Sequence, residues 1–178
     1  MRLFVAINFP DEVKEAVADI RDGLKAAALR GHFTYDENLH LTLVFLGECD
    51  ARQTQEVKSV LDHMDFSTFV LMLERVGYFK RDGGHTWWIG LKENKPLSCL
   101  QTDLSARLIQ KGFELENRKY TPHVTIGREV KMPVEFVQPE VRQAGFNVTH
   151  IELMKSERIN GKLVYTPVYS KNSSDTVK

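Results

Sequence analysis

Cysteine is scarce in this chain: two in 178 residues, Cys49 and Cys99, fifty positions apart. Neither belongs to a CxxC pair or a Cys/His cluster. That excludes a zinc-finger ligand set and a disulfide framework, and fits a reducing compartment. Long apolar runs are missing too. No stretch approaches the ~18–20 residues that a membrane-spanning helix needs. The N-terminus "MRLFVAINFPDE" turns acidic before a signal-peptide core can form, so a cytoplasmic protein is expected. Net charge is zero, with 24 Lys and Arg against 24 Asp and Glu, which disfavours a protein that coats long nucleic acid by counterion release. The charges are unevenly placed, however. From Asn117 onward there are ten Lys/Arg against six Asp/Glu, a mildly basic part that can help hold a phosphate. No glycine-rich phosphate loop follows a strand and no GxSxG elbow occurs, so nucleotide-fold and serine-hydrolase readings lose support.

What remains is an ordinary globular composition, 42% hydrophobic and 27% charged, in a chain long enough to bury a core without disulfides or metal. "RLFVAINF" (2–9) reads as a buried strand. Pro10 and Asp11 open a helix with Val13, Ala16, Val17, Ile20 and Leu24 on one face, stopped by Gly31. "LHLTLVFL" (39–46) is the next strand, ended by Gly47. Asp50 caps a second helix bearing Val57, Val60, Leu61 and Met64. Strands are expected at 67–79 and 85–92, joined by the turn "RDGG". A third helix has Pro96 at its first position and Gly112 at its end. Strands at 123–130, 146–159 and 162–170 follow, the last two joined through Asn160-Gly161. This order predicts an α+β fold with mainly antiparallel sheets and helices packed outside. The expectation is one bilobal domain over 1–178, with a polar, frayed tail from about 171 to 178.

One pattern recurs. "HLTL" (40–43) and "HVTI" (123–126) each set a histidine and a threonine two apart in an apolar strand, and both strands run on to a glycine. With six histidines and eleven threonines in the chain, about 0.07 such motifs are expected by chance. A third spelling, "HFTY" (32–35), lacks an apolar continuation, which places His32 in a loop or edge strand. Alternation puts His40 and Thr42 on one face and Leu41, Leu43 and Phe45 on the other; His123 and Thr125 likewise share a face opposite Val124 and Ile126. A single His-x-Thr in a strand is most often structural, but two in matched contexts can line one central cleft. Two imidazoles there suit general acid–base chemistry, one accepting a proton from the nucleophile and one donating to the leaving group. The threonine hydroxyls can donate to phosphoryl oxygens or orient the rings. Opening a phosphodiester fits such a pair, and no metal site is expected from two histidines with hydroxyl neighbours.

"RLFVAINFP", "ENLHLTLVFLGE", "YTPHVTIGR" and "KSERINGKLVYTPVYS" resemble the two-histidine (2H) phosphoesterases, and among them the bacterial and archaeal RNA 2′,3′-cyclic phosphodiesterases often labelled 2′-5′ RNA ligases. The resemblance spans nearly the whole chain. It implies a bilobal pseudo-twofold fold with both motifs in a central cleft, and cofactor-free, metal-free hydrolysis of a 2′,3′-cyclic phosphate RNA end, or of a small cyclic phosphate nucleotide, by a monomer. Carried over, His40 protonates the leaving 3′-oxygen, His123 activates water, and Thr42 and Thr125 hold the phosphate. Arg128 joins them only if its strand bends near Gly127, because strict alternation turns it away from His123. Where relatives commonly have an Arg-Trp pair before the first motif this chain has Phe33 in reach of the aromatic role. Of the adjacent Trp87 and Trp88, one is expected in the core and the other is a candidate base platform. Two alternatives remain open: a ligase or small-nucleotide esterase built on the same histidines, and an RNA-binding module in which they are incidental.

Overall fold

A computed structural model describes Met1–Asp175. Nine strands and three helices follow the order β1 (Arg2–Asn8), α1 (Asp11–Ala27), β2 (Arg30–Phe33), β3 (His40–Glu48), α2 (Ala51–Asp62), β4 (Phe69–Phe79), β5 (His85–Leu91), α3 (Lys95–Gln110), β6 (His123–Lys131), β7 (Gly145–Val148), β8 (His150–Ile159) and β9 (Lys162–Asn172), with a short 3-10 turn at Asp36–Asn38 before β3. The strands form two sheets, β3-β1-β8-β9 and β2-β6-β5-β4-β7. Every pairing is antiparallel. The expected α+β class with antiparallel sheets is what the chain adopts, and each histidine motif opens a strand of a different sheet. Buried side chains from both sheets and all three helices join in one apolar cluster. Among the described residues, no helix is long and apolar enough to cross a membrane.

Local chemistry accounts for the element ends. Asp50 accepts from the Gln53 backbone N–H while Gln53 Oε1 accepts from the Asp50 N–H, a capping box that starts α2. Asn94 caps α3, which moves Pro96 to the second helical position. Gly112, at φ +86°, closes α3 as Gly112 N–H donates to the Ile109 carbonyl and Phe113 N–H to that of Leu108.

Four expectations need correction. α1 ends at Ala27, not at Gly31: Ala28 is already extended, and Arg30–Phe33 pair with β6 as the outer strand β2. Gly47 does not end its strand but sits inside β3 at φ +75°. The single strand expected over 146–159 is two, divided at Thr149, with β7 pairing β4 and β8 pairing β1 in the other sheet. The apolar pattern records the break: Phe146 and Val148 are buried on even positions, Ile151 and Leu153 on odd ones. The tail is tied down where it is described. Lys171 and Asn172 belong to β9, Ser174 N–H donates to the Phe66 carbonyl, and the Asp175 carboxylate accepts from Thr68 N–H at 2.8 Å. Residues 176–178 lie outside the described residues.

Candidate active site

His40 and His123 stand at the first positions of β3 and β6, and the same device orients both. The Nδ1 of His40 lies 2.7 Å from the carbonyl of Asn38, and that of His123 lies 2.7 Å from the carbonyl of Thr121. A carbonyl only accepts, so each Nδ1 must carry the hydrogen, and in the neutral ring Nε2 is the free base. Thr42 Oγ1 is 2.9 Å from His40 Nε2 and donates to it in that state.

Both strands then lose their alternation at the same place. Along β3, Thr42 faces Ala6 and Val44 faces Val5, so Leu43 is an extra residue. Along β6, Thr125 faces Trp88 and Gly127 faces Trp87, so Ile126 is extra. Each bulge sits at the fourth residue of its motif and turns the next positions over. Val44 therefore joins the core while Phe45, expected on the core face with Leu41 and Leu43, emerges 52% exposed on the His40 side. In β6 the bulge carries Arg128 onto the face of His123 and Thr125. A further extra residue, Glu129 at φ +53°, returns Val130 to the core. Phe45 and Arg128 hold equal rank, five positions after their histidines. The doubled apolar pair Leu43-Val44 is a sequence signal of the first bulge; in β6, where Val124, Thr125 and Ile126 alternate regularly and Gly127 follows, there is no such pair.

The electrostatics follow from burial and charge. Burial lowers the pKa of His40 to about 4, and the positive charges of Arg128, His123 and Lys14 act in the same direction against the bond to Asn38. His123 is lowered for the same first reason, with Arg118 and Arg128 adding to it. Arg128 thus acts on both imidazoles. Around His40 pack Phe4, at 4.9 Å between ring centroids, and Tyr165, edge-on at 5.1 Å. Phe79 stands edge-on to His123 at 5.1 Å.

A cavity of about 260 Å³ is lined by Thr42 and Phe45 from β3, by His123, and by Phe79, Arg118 and Tyr120, while His40, Thr125 and Arg128 are not among its lining residues. A larger hollow of about 470 Å³, on Tyr78, His85, Trp87 and Phe136, touches neither motif. Two hydroxyl bonds join the motifs. Tyr120, three residues before His123, donates to the Thr42 carbonyl at 3.0 Å, and Thr34, on the approach to His40, donates to the Thr125 carbonyl at 2.9 Å. The third motif copy is thereby explained in part. Thr34 is a tie, while His32 lies on the outer strand β2, its side chain 83% exposed and 3.6 Å from Glu129.

Trp87 is in the core at 3% exposure. Trp88 points to the histidine side, 6.4 Å from His123, but is 9% exposed, covered by Phe79 and Arg75 and lying where a Cβ on Gly77 would come within 2.3 Å. Phe33 packs over Gly127. The open aromatic face beside the motifs is that of Phe45, which strict alternation had hidden. Asn38, Tyr120 and Tyr165 also escape a reading by motif, because the contacts of Asn38 with Leu163, Tyr120 with Thr42 and Tyr165 with His40 each span a long sequence separation.

The profile of the 2′-5′ RNA ligase superfamily matches residues 9–160. An RNA 2′,3′-cyclic phosphodiesterase of Thermotoga maritima is 34% identical over 134 residues, covering 72% of this chain and 70% of that protein. One of Escherichia coli is 30% identical over 172 residues, covering 94% and 93%. Among solved structures, E. coli LigT complexed with 3′-AMP superposes with a TM-score of 0.86 at 27% identity, covering 97% of this chain and 98% of that one.

Proposed function

Because the chain belongs to the 2′-5′ RNA ligase superfamily, we propose that it is an RNA 2′,3′-cyclic phosphodiesterase in which His40 and His123 form the acid–base pair. The observation that carries this reading is the matched tautomer lock: both rings spend Nδ1–H on a backbone carbonyl two residues upstream, which leaves both Nε2 atoms for chemistry. The relatives named as RNA 2′,3′-cyclic phosphodiesterases, alike over 94% of this chain in the E. coli case, support the substrate class. One apolar core shared by both sheets supports a single working domain.

In the reaction, His123 Nε2 takes a proton from water as its oxygen attacks phosphorus. The bond from phosphorus to O3′ breaks, and His40 Nε2–H protonates that oxygen, leaving a 2′-phosphomonoester and a 3′-hydroxyl. Charge developing on the phosphoryl oxygens is met by Arg128, Thr42 and Thr125. Burial keeps His40 neutral in the free protein at pH 7. The anionic phosphodiester favours its protonation on binding, and the poorly solvated imidazolium is then a strong donor. Phe45 supplies a flat apolar face for the terminal base.

The test is hydrolysis of a short RNA ending in 2′,3′-cyclic phosphate, in EDTA, with end groups identified. Wild-type protein is expected to yield a 2′-phosphate end, and His40→Ala and His123→Ala each to lose at least about 10²-fold in kcat, whereas His32→Ala stays active. Full activity in either of the first two variants removes the two-histidine mechanism. Joined strands with a 2′–5′ linkage, instead of a 2′-phosphate end, would mark ligation with a 5′-hydroxyl in place of water.

A further inference from the structure

The β8–β9 hairpin takes no part in the two-histidine scheme, yet it is fastened closely to His40. Buried Asn38 donates from Nδ2 to the Leu163 carbonyl at 2.9 Å, while its own carbonyl accepts from His40 Nδ1. Lys162 pairs with Glu37 at 2.5 Å and lies 4.4 Å over the ring of Tyr35. The strand that carries these ties reaches Tyr165 two residues after Leu163. There the Tyr165 ring meets the His40 ring edge-on at 5.1 Å and 86°, and meets Phe4 at 4.9 Å and 72°. Phe4 in turn leans on the imidazole at 4.9 Å.

A histidine ring rotates easily about its Cβ–Cγ bond, since that torsion has broad wells. The Asn38 bond sets the tautomer but, as a single contact at one corner, leaves the tilt of the ring to its neighbours. We propose, resting on the role of His40 given above, that Tyr165 is a positioning residue: its ring, backed by Phe4, holds the His40 imidazole with Nε2 turned to Thr42, and the hairpin's ties to Glu37 and Asn38 hold Tyr165 in place. The hairpin is then a brace for the catalytic histidine. The same packing removes water from the imidazole, in accord with the lowered pKa of His40, for which burial is the first cause. The charges facing the ring are those of Arg128 and His123 on β6 and Lys14 on α1. Variants at Tyr165 leave all three in place.

The experiment compares Tyr165→Phe, Tyr165→Leu and Tyr165→Ala by two readouts: kcat and KM on RNA ending in 2′,3′-cyclic phosphate, and the imidazole nitrogen NMR titration of His40 in substrate-free protein. Leu and Ala are expected to lower kcat by about tenfold or more with KM within about twofold, because a small misplacement of a reacting group is costly. In both, the His40 midpoint should rise toward its ordinary value. Phe, which keeps the ring, should stay near wild type in both readouts. Leu preserves buried volume should Ala not fold. A Leu variant with wild-type kcat and an unmoved His40 titration overturns the proposal. So does a Phe variant that loses kcat as Leu does while His40 titrates normally, since that assigns the work to the hydroxyl. The titration needs no turnover. Wild-type protein inactive on the RNA would therefore count against the two-histidine reading, while the brace is still decided by NMR.

Discussion

At each histidine the useful nitrogen is chosen by a neighbour that does no chemistry. The carbonyls of Asn38 and Thr121 take the Nδ1 hydrogens, and the hydroxyl of Thr42 meets the other side of His40. Removing the Thr42 hydroxyl as Thr42→Val keeps the strand shape, so kcat should fall several-fold or more with Tm nearly unchanged; a collapse in Tm would assign that hydroxyl to structure. Phe45 belongs to the same scale. It is half exposed although apolar, and base–aromatic stacking contributes roughly 1–3 kcal/mol per base. Phe45→Ala should therefore lower kcat/KM on the RNA end by about tenfold, and Phe45→Trp should restore most of it. Equal kcat/KM in the Ala variant would exclude stacking there.

Strands bring these side chains together only because two of them are irregular. An unbroken β3 would bury Phe45, and an unbroken β6 would turn Arg128 away from His123; one extra residue in each reverses both. The elements are then joined by reciprocal ties, Tyr120 to the Thr42 carbonyl and Thr34 to the Thr125 carbonyl. Tyr120→Phe leaves a carbonyl without its donor, which costs about 1–2 kcal/mol. Urea unfolding should show a loss of that size, and kcat should fall with it because β3 is less firmly held against the approach to β6. Unchanged urea stability would show that water replaces the tie. Of these features the β3 bulge is partly legible in the sequence as the doubled apolar pair Leu43-Val44, and the β6 bulge is not. The ties are not, since a hydroxyl and a carbonyl 78 or 91 residues apart leave no local pattern.

For the whole molecule, the partly buried imidazoles set a dependence of stability on pH. The folded pKa of His40, about 4, lies below the ordinary value of 6.5, so between those values the unfolded chain binds the proton and the folded one does not. Stability from this group is fully present above pH 6.5 and is lost as pH falls toward 4, by up to about 3 kcal/mol. His123 acts in the same direction. Denaturant titrations at pH 7 and pH 4.5 should show a smaller difference for His40→Asn than for wild type. An equal difference would place the titrating group elsewhere.

The sequence by itself determined most of the elements, the antiparallel α+β class and the two histidine–threonine pairs, because periodicity, caps and glycine turns are short-range chemistry. It also determined that Trp87 or Trp88 had to face away from the core. The tertiary structure alone decided which sheet each half of 146–159 joins, and which face Phe45 and Arg128 occupy. It also tied Asn38 to the β8–β9 hairpin, carried Tyr120 across to Thr42 and set Tyr165 against His40. Register and bulges depend on the partner strand, and contacts across a fold depend on distance in space, which a single chain written as a line does not record.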